Sequence, residues 1–344
     1  MTITLINSYS DFLLLKDEWN NLIENIDSPE VFYLFEWTDS YINYYEPTIK
    51  ENVRIITIRE QEKLLAIFPF IVINNTLTFI TRNASDYNNC YILKEQNKFS
   101  IIKKAIEYIL EKENVKKICL MNMPSSEDLY FILEALRENG FSAFLQESVM
   151  TPYFEKNNLN PDKSQKKHIK DIERREKRLE ENQPIQYHHK KLPTEEEWNF
   201  MISKKLERYQ FASVKRKNVQ AFYKSLLNAL GDKVLFSSMY INGEISATHF
   251  GFKAFGKLYY YMPSFLHSDK SSGAGLMLLN NIINSCDYNI FDSLIGNEQY
   301  KFFWCNKTGM NYHLIAYKRG KETLLQGILV HLKNTKFVRR IFGR

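Results

Sequence analysis

Late in the chain, Lys270-Ser271-Ser272-Gly273-Ala274-Gly275 gathers a cation, two hydroxyls and two glycines between an aromatic run, Leu258–Met262, and an apolar run, Leu276–Leu279. The pattern predicts a strand, a polar loop and a helix that starts at the glycines. The first amides of a helix have no partner within it and lie at its positive dipole end, and glycine lets an anion approach them without meeting a Cβ. The chemistry on offer is therefore phosphate binding. The plainer reading is a strand-to-helix connection that needs small residues for packing. Groups able to move protons or hold charge stand nearby in sequence: His249, Asp292, Glu298, Tyr300 and Lys301. An imidazole titrates near neutrality and suits proton removal. Asp292 closes a predicted strand, where open α/β sheets present ligands. Glu298 and Lys301 fall one helical turn apart and can pair, unless the lysine faces an anion.

Spacing weakens one familiar phosphate-binding loop and rules out another. A dinucleotide fingerprint needs a third glycine where Leu278 stands, and a Walker loop needs its lysine after the glycines rather than before them. The remaining order, Lys270-x-x-Gly273-x-Gly275, resembles the pyrophosphate loop of the GNAT acyltransferase superfamily, with lysine in first place. Downstream, Phe291-Asp-Ser-Leu-Ile-Gly-Asn-Glu-Gln-Tyr-Lys-Phe-Phe-Trp304 is similar to the signature of the CelD-like GNAT branch found in cellulose and exopolysaccharide biosynthesis. The segments Gly243–Phe252 and His168–Leu179 resemble that branch's hairpin strand and its arginine-rich first helix. Phe32–Trp37 and Ser85-Asp86-Tyr87 extend the likeness faintly into the N-terminal half.

This resemblance implies an α/β fold of mixed sheets in two tandem GNAT-like domains, 1–156 and 162–344, the second bearing the acyltransferase site and a basic C-terminal helix. It implies an acyl-CoA donor, or an acyl carrier protein thioester, and no metal. The acceptor implied is an amino sugar or nucleotide-linked sugar of a surface polysaccharide, attacking the thioester directly. Backbone amides of Tyr260, Tyr261 and Met262 would pair with the pantetheine arm, and Lys270, Ser271, Ser272, Gly273, Ala274 and Gly275 would hold the diphosphate. His249, Asp292 and Glu298 are the candidate general bases, Tyr300 the candidate for protonating the departing thiolate, and Lys301 a contact to an anionic acceptor or the oxyanion. Pro263 has no amide to pair, which suits a strand that stops pairing there. Where the wider superfamily has a tyrosine four residues before a glycine, this chain has Cys305 before Gly309.

The elements that must position these residues follow from periodicity. At 344 residues, two domains are expected. A 44% hydrophobic and 25% charged composition is that of a folded globular chain. Cys90, Cys119, Cys286 and Cys305 are scattered, with no CxxC pair to suggest zinc or a disulfide framework, and a reducing, cytoplasmic compartment fits. In the first half, strands are predicted at 2–6, 53–59, 64–73, 77–80, 115–121 and 141–146. Helices are predicted at 11–26, opened by an Asp11 cap, and at 100–112 and 126–138. The second half reads as a charged helix in 162–181, a strand at 185–189, helices near 195–208 and 217–230, strands at 233–241, 244–254 and from 258, the glycine-loop helix, a strand from Tyr288, a helix from Asn297 and a strand at 312–317. Asn242-Gly243 is the strongest hairpin signal.

The net charge of +6 is modest and concentrated in 162–181 and in the tail from Leu324 to Arg344. That tail reads either as a basic amphipathic helix on anionic lipid or as a last helix docked on its own domain. No nucleic-acid-binding signature accompanies the charge. Two rival readings stand beside the acyl-CoA enzyme: a FemAB-like transferase using aminoacyl-tRNA, and a non-catalytic scaffold for polysaccharide enzymes.

Overall fold

The computed structural model describes every residue except 95, 159, 209–216, 267–272 and 320–344. Lys270, Ser271, Ser272 and the basic tail from Leu324 thus lie outside the described residues. In chain order the elements are β1 (Thr2–Ile6), α1 (Tyr9–Leu13), α2 (Lys16–Glu24), α3 (Phe35–Ser40), β2 (Val53–Glu60), β3 (Lys63–Ile73), β4 (Thr76–Phe79), β5 (Tyr91–Ile92), α4 (Lys98–Lys112), β6 (Lys117–Pro124), α5 (Glu127–Glu138) and β7 (Phe141–Glu155). There follow α6 (Lys163–Glu180), β8 (Ile185–Lys190), α7 (Glu195–Arg208), α8 (Lys217–Ala229), β9 (Val234–Ile241), β10 (Glu244–Ala254), β11 (Lys257–Phe265), α9 (Ala274–Ser285), β12 (Ile290–Asp292) and β13 (Lys307–Lys318). The fold is mixed α/β, as the sequence implies.

The chain divides into two compact units. One comprises Met1–Thr38, Pro47–Val149 and the part of β13 from Met310; the other comprises Asp39–Glu46 and Met150–Gly309. In the first unit the strand order is β1-β2-β3-β4-β6-β13-β7, with β5 on β3. Asn74 and Asn75 both take positive φ, 48° and 60°, and form the tight turn between β3 and β4. Helices α4 and α5 lay Ile102, Ile106, Ile109, Ile132 and Leu136 onto Ile56, Phe68 and Leu120. In the second unit the order is β7-β12-β11-β10-β9-β8. The expected Asn242-Gly243 turn is present, with φ of 52° and 81°. Met277, Leu278, Leu279, Ile282 and Ile283 of α9 are buried with Ile172 of α6, Tyr260 and Phe291, each contributing about 1.5–3 kcal/mol of transfer free energy.

Several expected elements are corrected. The helix expected at 11–26 is two, because the amides of Leu14 and Leu15 reach back only three residues, to Asp11 and Phe12, and tighten the chain out of α geometry. Its cap is Ser8, whose hydroxyl accepts from the Asp11 amide at 3.1 Å, rather than Asp11 itself. The strand expected to end at Gln146 runs on to Glu155 through Pro152, whose carbonyl accepts from the Ser293 amide and hydroxyl. The helix expected from Asn297 is a short 3₁₀ turn, Gln299–Phe303, and the strand expected at 312–317 starts at Lys307.

Candidate active site at the end of β11

Strand β11 pairs along one edge with β10 and along the other with β12, in parallel. Because β12 is only three residues long, the parallel ladder stops at Tyr259↔Asp292, and Tyr260–Phe265 run on past the end of their neighbour. On the β10 side, Tyr260 and Tyr261 together oppose Gly251, between the pairs Phe252↔Tyr259 and Phe250↔Met262. That is a β-bulge, which twists a strand and re-aims its groups. A side chain at Gly251 would collide with the Tyr259 carbonyl and the His249 ring, so glycine is required there. Past the bulge, the Leu266 amide bonds to Ser246 O of β10 at 3.0 Å, so by ladder alternation Pro263 and Phe265 turn their backbone groups away from β10. Pro263 sits opposite His249 with no amide to offer.

Helix α9 begins where β11 ends. Its N-cap, Gly273, has φ +91°, and a Cβ there would touch only the Met277 methyl at 3.7 Å. A Cβ on Gly275 would stand 2.6 Å from the Phe265 ring. The two glycines therefore do different jobs. Gly273 turns the chain in a left-handed conformation, while Gly275 lets the helix close onto the last residue of β11. Ala274 is buried beneath them. Tyr260 is buried on the α9 face, stacked on His249 at 4.5 Å. Tyr261 points the other way, toward the rings of Tyr223, Phe250 and Phe252. Met262 is also buried.

The loop after β12 is held by backbone polar groups. Asp292, 6% exposed, accepts the Leu294 amide at 2.8 Å, and Leu294 takes φ 62°. Lys301 is buried, and its ammonium donates to Ile295 O at 2.7 Å and Leu294 O at 3.4 Å, with Glu298 Oε2 at 3.2 Å. An ammonium has three donors, and these three acceptors use them. Gly296, φ +134°, is the close approach that permits this, since a Cβ would stand 2.6 Å from Lys301 Nζ. Glu298 is half exposed, and Tyr300 is partly buried in the 3₁₀ turn. Burial, with Asp292 adding, pushes the Cys305 thiol up to about 12 against the opposing Ser293 and Lys301 contacts, so it stays protonated.

His249 is fully buried and neither ring nitrogen has a hydrogen-bond partner. Burial, with smaller effects from His189 and Lys205, lowers its pKa to about 3. Such a ring is neutral at pH 7 and a weak proton acceptor. The structure thus gathers Asp292, Glu298, Tyr300 and Lys301 in one loop after β12, brings Tyr260–Met262 and Gly273–Gly275 to one end of β11, and places His249 under the sheet against Tyr260.

Sequence reasoning missed Glu197 at the start of α7. Its side chain has no exposure, and it accepts from Ser238 Oγ at 2.6 Å, Tyr240 OH at 2.9 Å, the Thr194 amide at 2.7 Å and Lys190 Nζ at 2.6 Å. Thr194 Oγ1 in turn accepts the Glu197 amide at 3.2 Å. The Thr194-x-x-Glu197 spacing is a capping-box signal. Burial pushes this carboxyl up, but the bonds from Lys190, Ser238, Thr194 and Tyr240 outweigh it and hold the pKa down to about 2. Glu197→Leu is expected to cost about 3 kcal/mol, measured by denaturant unfolding. A carboxyl depressed in the native state stabilises above its ordinary pKa and loses that contribution as pH falls through the native value. Stability should therefore fall from about pH 4.5 toward pH 2, and more steeply than in Glu197→Gln.

Residues 166–302, from α6 to the 3₁₀ turn, match the family of acetyltransferase (GNAT) domains, which supports an acyltransferase. Solved structures with the same fold include L-PGS from Bacillus licheniformis, at TM-score 0.57 and 11% identity over 93% of this chain and 97% of that one. FemX is similar at TM-score 0.57 and 11% identity, over 95% and 99% of the two chains. A tandem GNAT protein from the clavulanic acid biosynthesis pathway is similar at 0.50 and 8%, over 93% and 99%. No curated protein matches the sequence. Among the described residues no helix is long and apolar enough to cross a membrane, and no group of three or more His, Cys, Asp or Glu could hold a metal ion.

Proposed function

We propose that this protein is a cytoplasmic N-acyltransferase of the CelD-like branch, moving an acyl group from a thioester donor to an amino sugar of a surface polysaccharide or its nucleotide-linked precursor. The observation that carries this reading is the meeting, at one end of β11, of a strand that runs on past the end of β12 and a helix that starts at a left-handed glycine, Gly273. An extended pantetheine arm can add to such a strand through backbone bonds, and its diphosphate suits the first amides of α9. Asp292, at the end of the neighbouring strand, takes a proton from the acceptor amine. The nitrogen attacks the thioester carbon, the C–S bond breaks, and Tyr300 protonates the leaving thiolate. The Tyr261 amide, which alternation at the bulge turns away from β10, stabilises the oxyanion, while the Met262 amide stays in the β10 ladder. His249, buried and neutral, packs Tyr260 rather than moving protons, and Lys301 pins the loop that carries Asp292.

The FemAB-like alternative draws on the fold shared with FemX. Against it, α6 is a single 18-residue helix that leads within five residues into β8, with no helical arm of the kind that reading expects. Peripheral membrane contact through the basic tail belongs to the same proposal.

Calorimetry with coenzyme A and its short-chain esters tests the reading. We expect one binding event per chain, weakened at least about tenfold in a folded Gly273→Trp variant, and thiol release when a nucleotide-linked amino sugar is added. Unchanged binding in that variant would place the donor elsewhere, and transfer that RNase abolishes would favour aminoacyl-tRNA.

A further inference from the structure

Helix α6 carries Lys163, Lys166, Lys167, Lys170 and Arg174 at spacings that place them along one side. All five are exposed, and with Asp171 they line an open groove of about 440 Å³. Asp171 pairs with Arg174 and Arg175, whereas none of the four lysines has a carboxylate partner among the described residues. Their placement is costly. Lys163 and Lys166 stand in the first turn, at the positive end of the helix dipole, where an exposed cation is destabilising by a few tenths of a kcal/mol, and that turn holds no acidic residue beyond the Asp162 cap.

The opposite face of α6 is anchored beside the candidate site. Gln165 Nε2 donates to Phe302 O at 3.1 Å and Cys305 O at 3.2 Å, and the His168 ring stacks on Phe303 at 4.0 Å. The helix is thus fixed against the 3₁₀ turn that contains Tyr300 and Lys301, with the lysines on its outward side. From Lys163 to Arg174 the row spans roughly 16 Å, at 1.5 Å per residue. That is longer than one phosphate group and comparable to a row of carboxylates along a partner helix. No aromatic residue interrupts the row, and lysine point charges lack the planar, stacking forks that favour a polynucleotide.

We infer that this basic row docks the acidic surface of an acyl carrier protein, which delivers the acyl thioester to the end of β11. The inference rests on the thioester-donor reading above. A carrier protein presents its acyl group on the same phosphopantetheine arm as coenzyme A, so the transfer is unchanged: the C–N bond forms, the C–S bond breaks, and the thiol returns to the carrier's arm.

The test uses the full-length protein and the triple variant Lys166→Glu, Lys167→Glu, Lys170→Glu. All three side chains are exposed and outside the packed face of α6, so the variant should fold. Steady-state kinetics are measured with an acylated, phosphopantetheinylated bacterial acyl carrier protein and with the matching acyl-CoA, alongside anisotropy of the labelled carrier. The expected result is a KM for the carrier raised at least tenfold with its salt dependence flattened, and acyl-CoA kinetics changed less than twofold. Equal loss with both donors would assign the lysines to the phosphates of coenzyme A and overturn the inference, as would no loss with either. Binding of tRNA, lost in the variant while the carrier protein fails to bind, would overturn it in favour of a polynucleotide. Wild-type protein inactive with both donors would sink the thioester reading itself; activity confined to acyl-CoA would sink only the carrier.

Discussion

Asp292→Asn is expected to lower kcat by about 10²–10⁴-fold, the range spanned by a positioned general base, while leaving coenzyme A binding within about twofold. The substitution is chosen for what it keeps. An asparagine oxygen can still accept the Leu294 amide that Asp292 Oδ1 now holds at 2.8 Å, so the loop after β12 should retain its shape. Only the ability to take a proton is removed. Steady-state kinetics and calorimetry on the same preparation check the split between turnover and binding. If the melting temperature drops in step with the rate, Asp292 is a structural residue of the loop, and the base must be sought at Glu298.

Gly275→Val should produce the second large effect. The first atom of the new side chain would stand 2.6–3.1 Å from three atoms of the Phe265 ring, so either the start of α9 moves away from β11 or the ring swings out. Overpacking of this kind costs about 1–3 kcal/mol. Both rearrangements disturb the end of β11 where strand edge and helix start meet, so the donor KM is expected to rise at least tenfold. The donor dissociation constant and the unfolding midpoint, measured together, separate the two losses. A destabilised variant that binds donor normally would show that the approach of helix to strand serves the core alone.

Much of this arrangement is legible in the residue string, because it is local. The β11-loop-α9 sequence, the Asn242-Gly243 turn and the strand ending at Asp292 rest on patterns a few residues long. What could not be read is set by distant partners. Glu197 belongs to a run of three glutamates that resembles a solvated first turn, and only the placement of Ser238 and Tyr240 on β9 singles it out. Lys301 is one turn from Glu298 in sequence, as an exposed pair would be, yet the left-handed residue Leu294 brings two carbonyls round to bury it. The same holds for His249: its residue type suggests proton transfer, and nothing local in the sequence foretells that it is buried with the Tyr260 ring stacked on it. The extended length of β7 was hidden by Pro152, which usually ends a strand and here contributes a carbonyl.

Strand β7 also bears on how such an enzyme can be recombined. Its final residues, Tyr153–Glu155, flank β12 and so support the backbone on which Asp292 sits, although they precede the proline-containing linker that looks like a natural cut point. A graft meant to exchange acceptor preference between homologues would have to start upstream of Met150 and carry that stretch along. Crossovers at Pro161 would leave the strand that ends at Asp292 with a foreign neighbour.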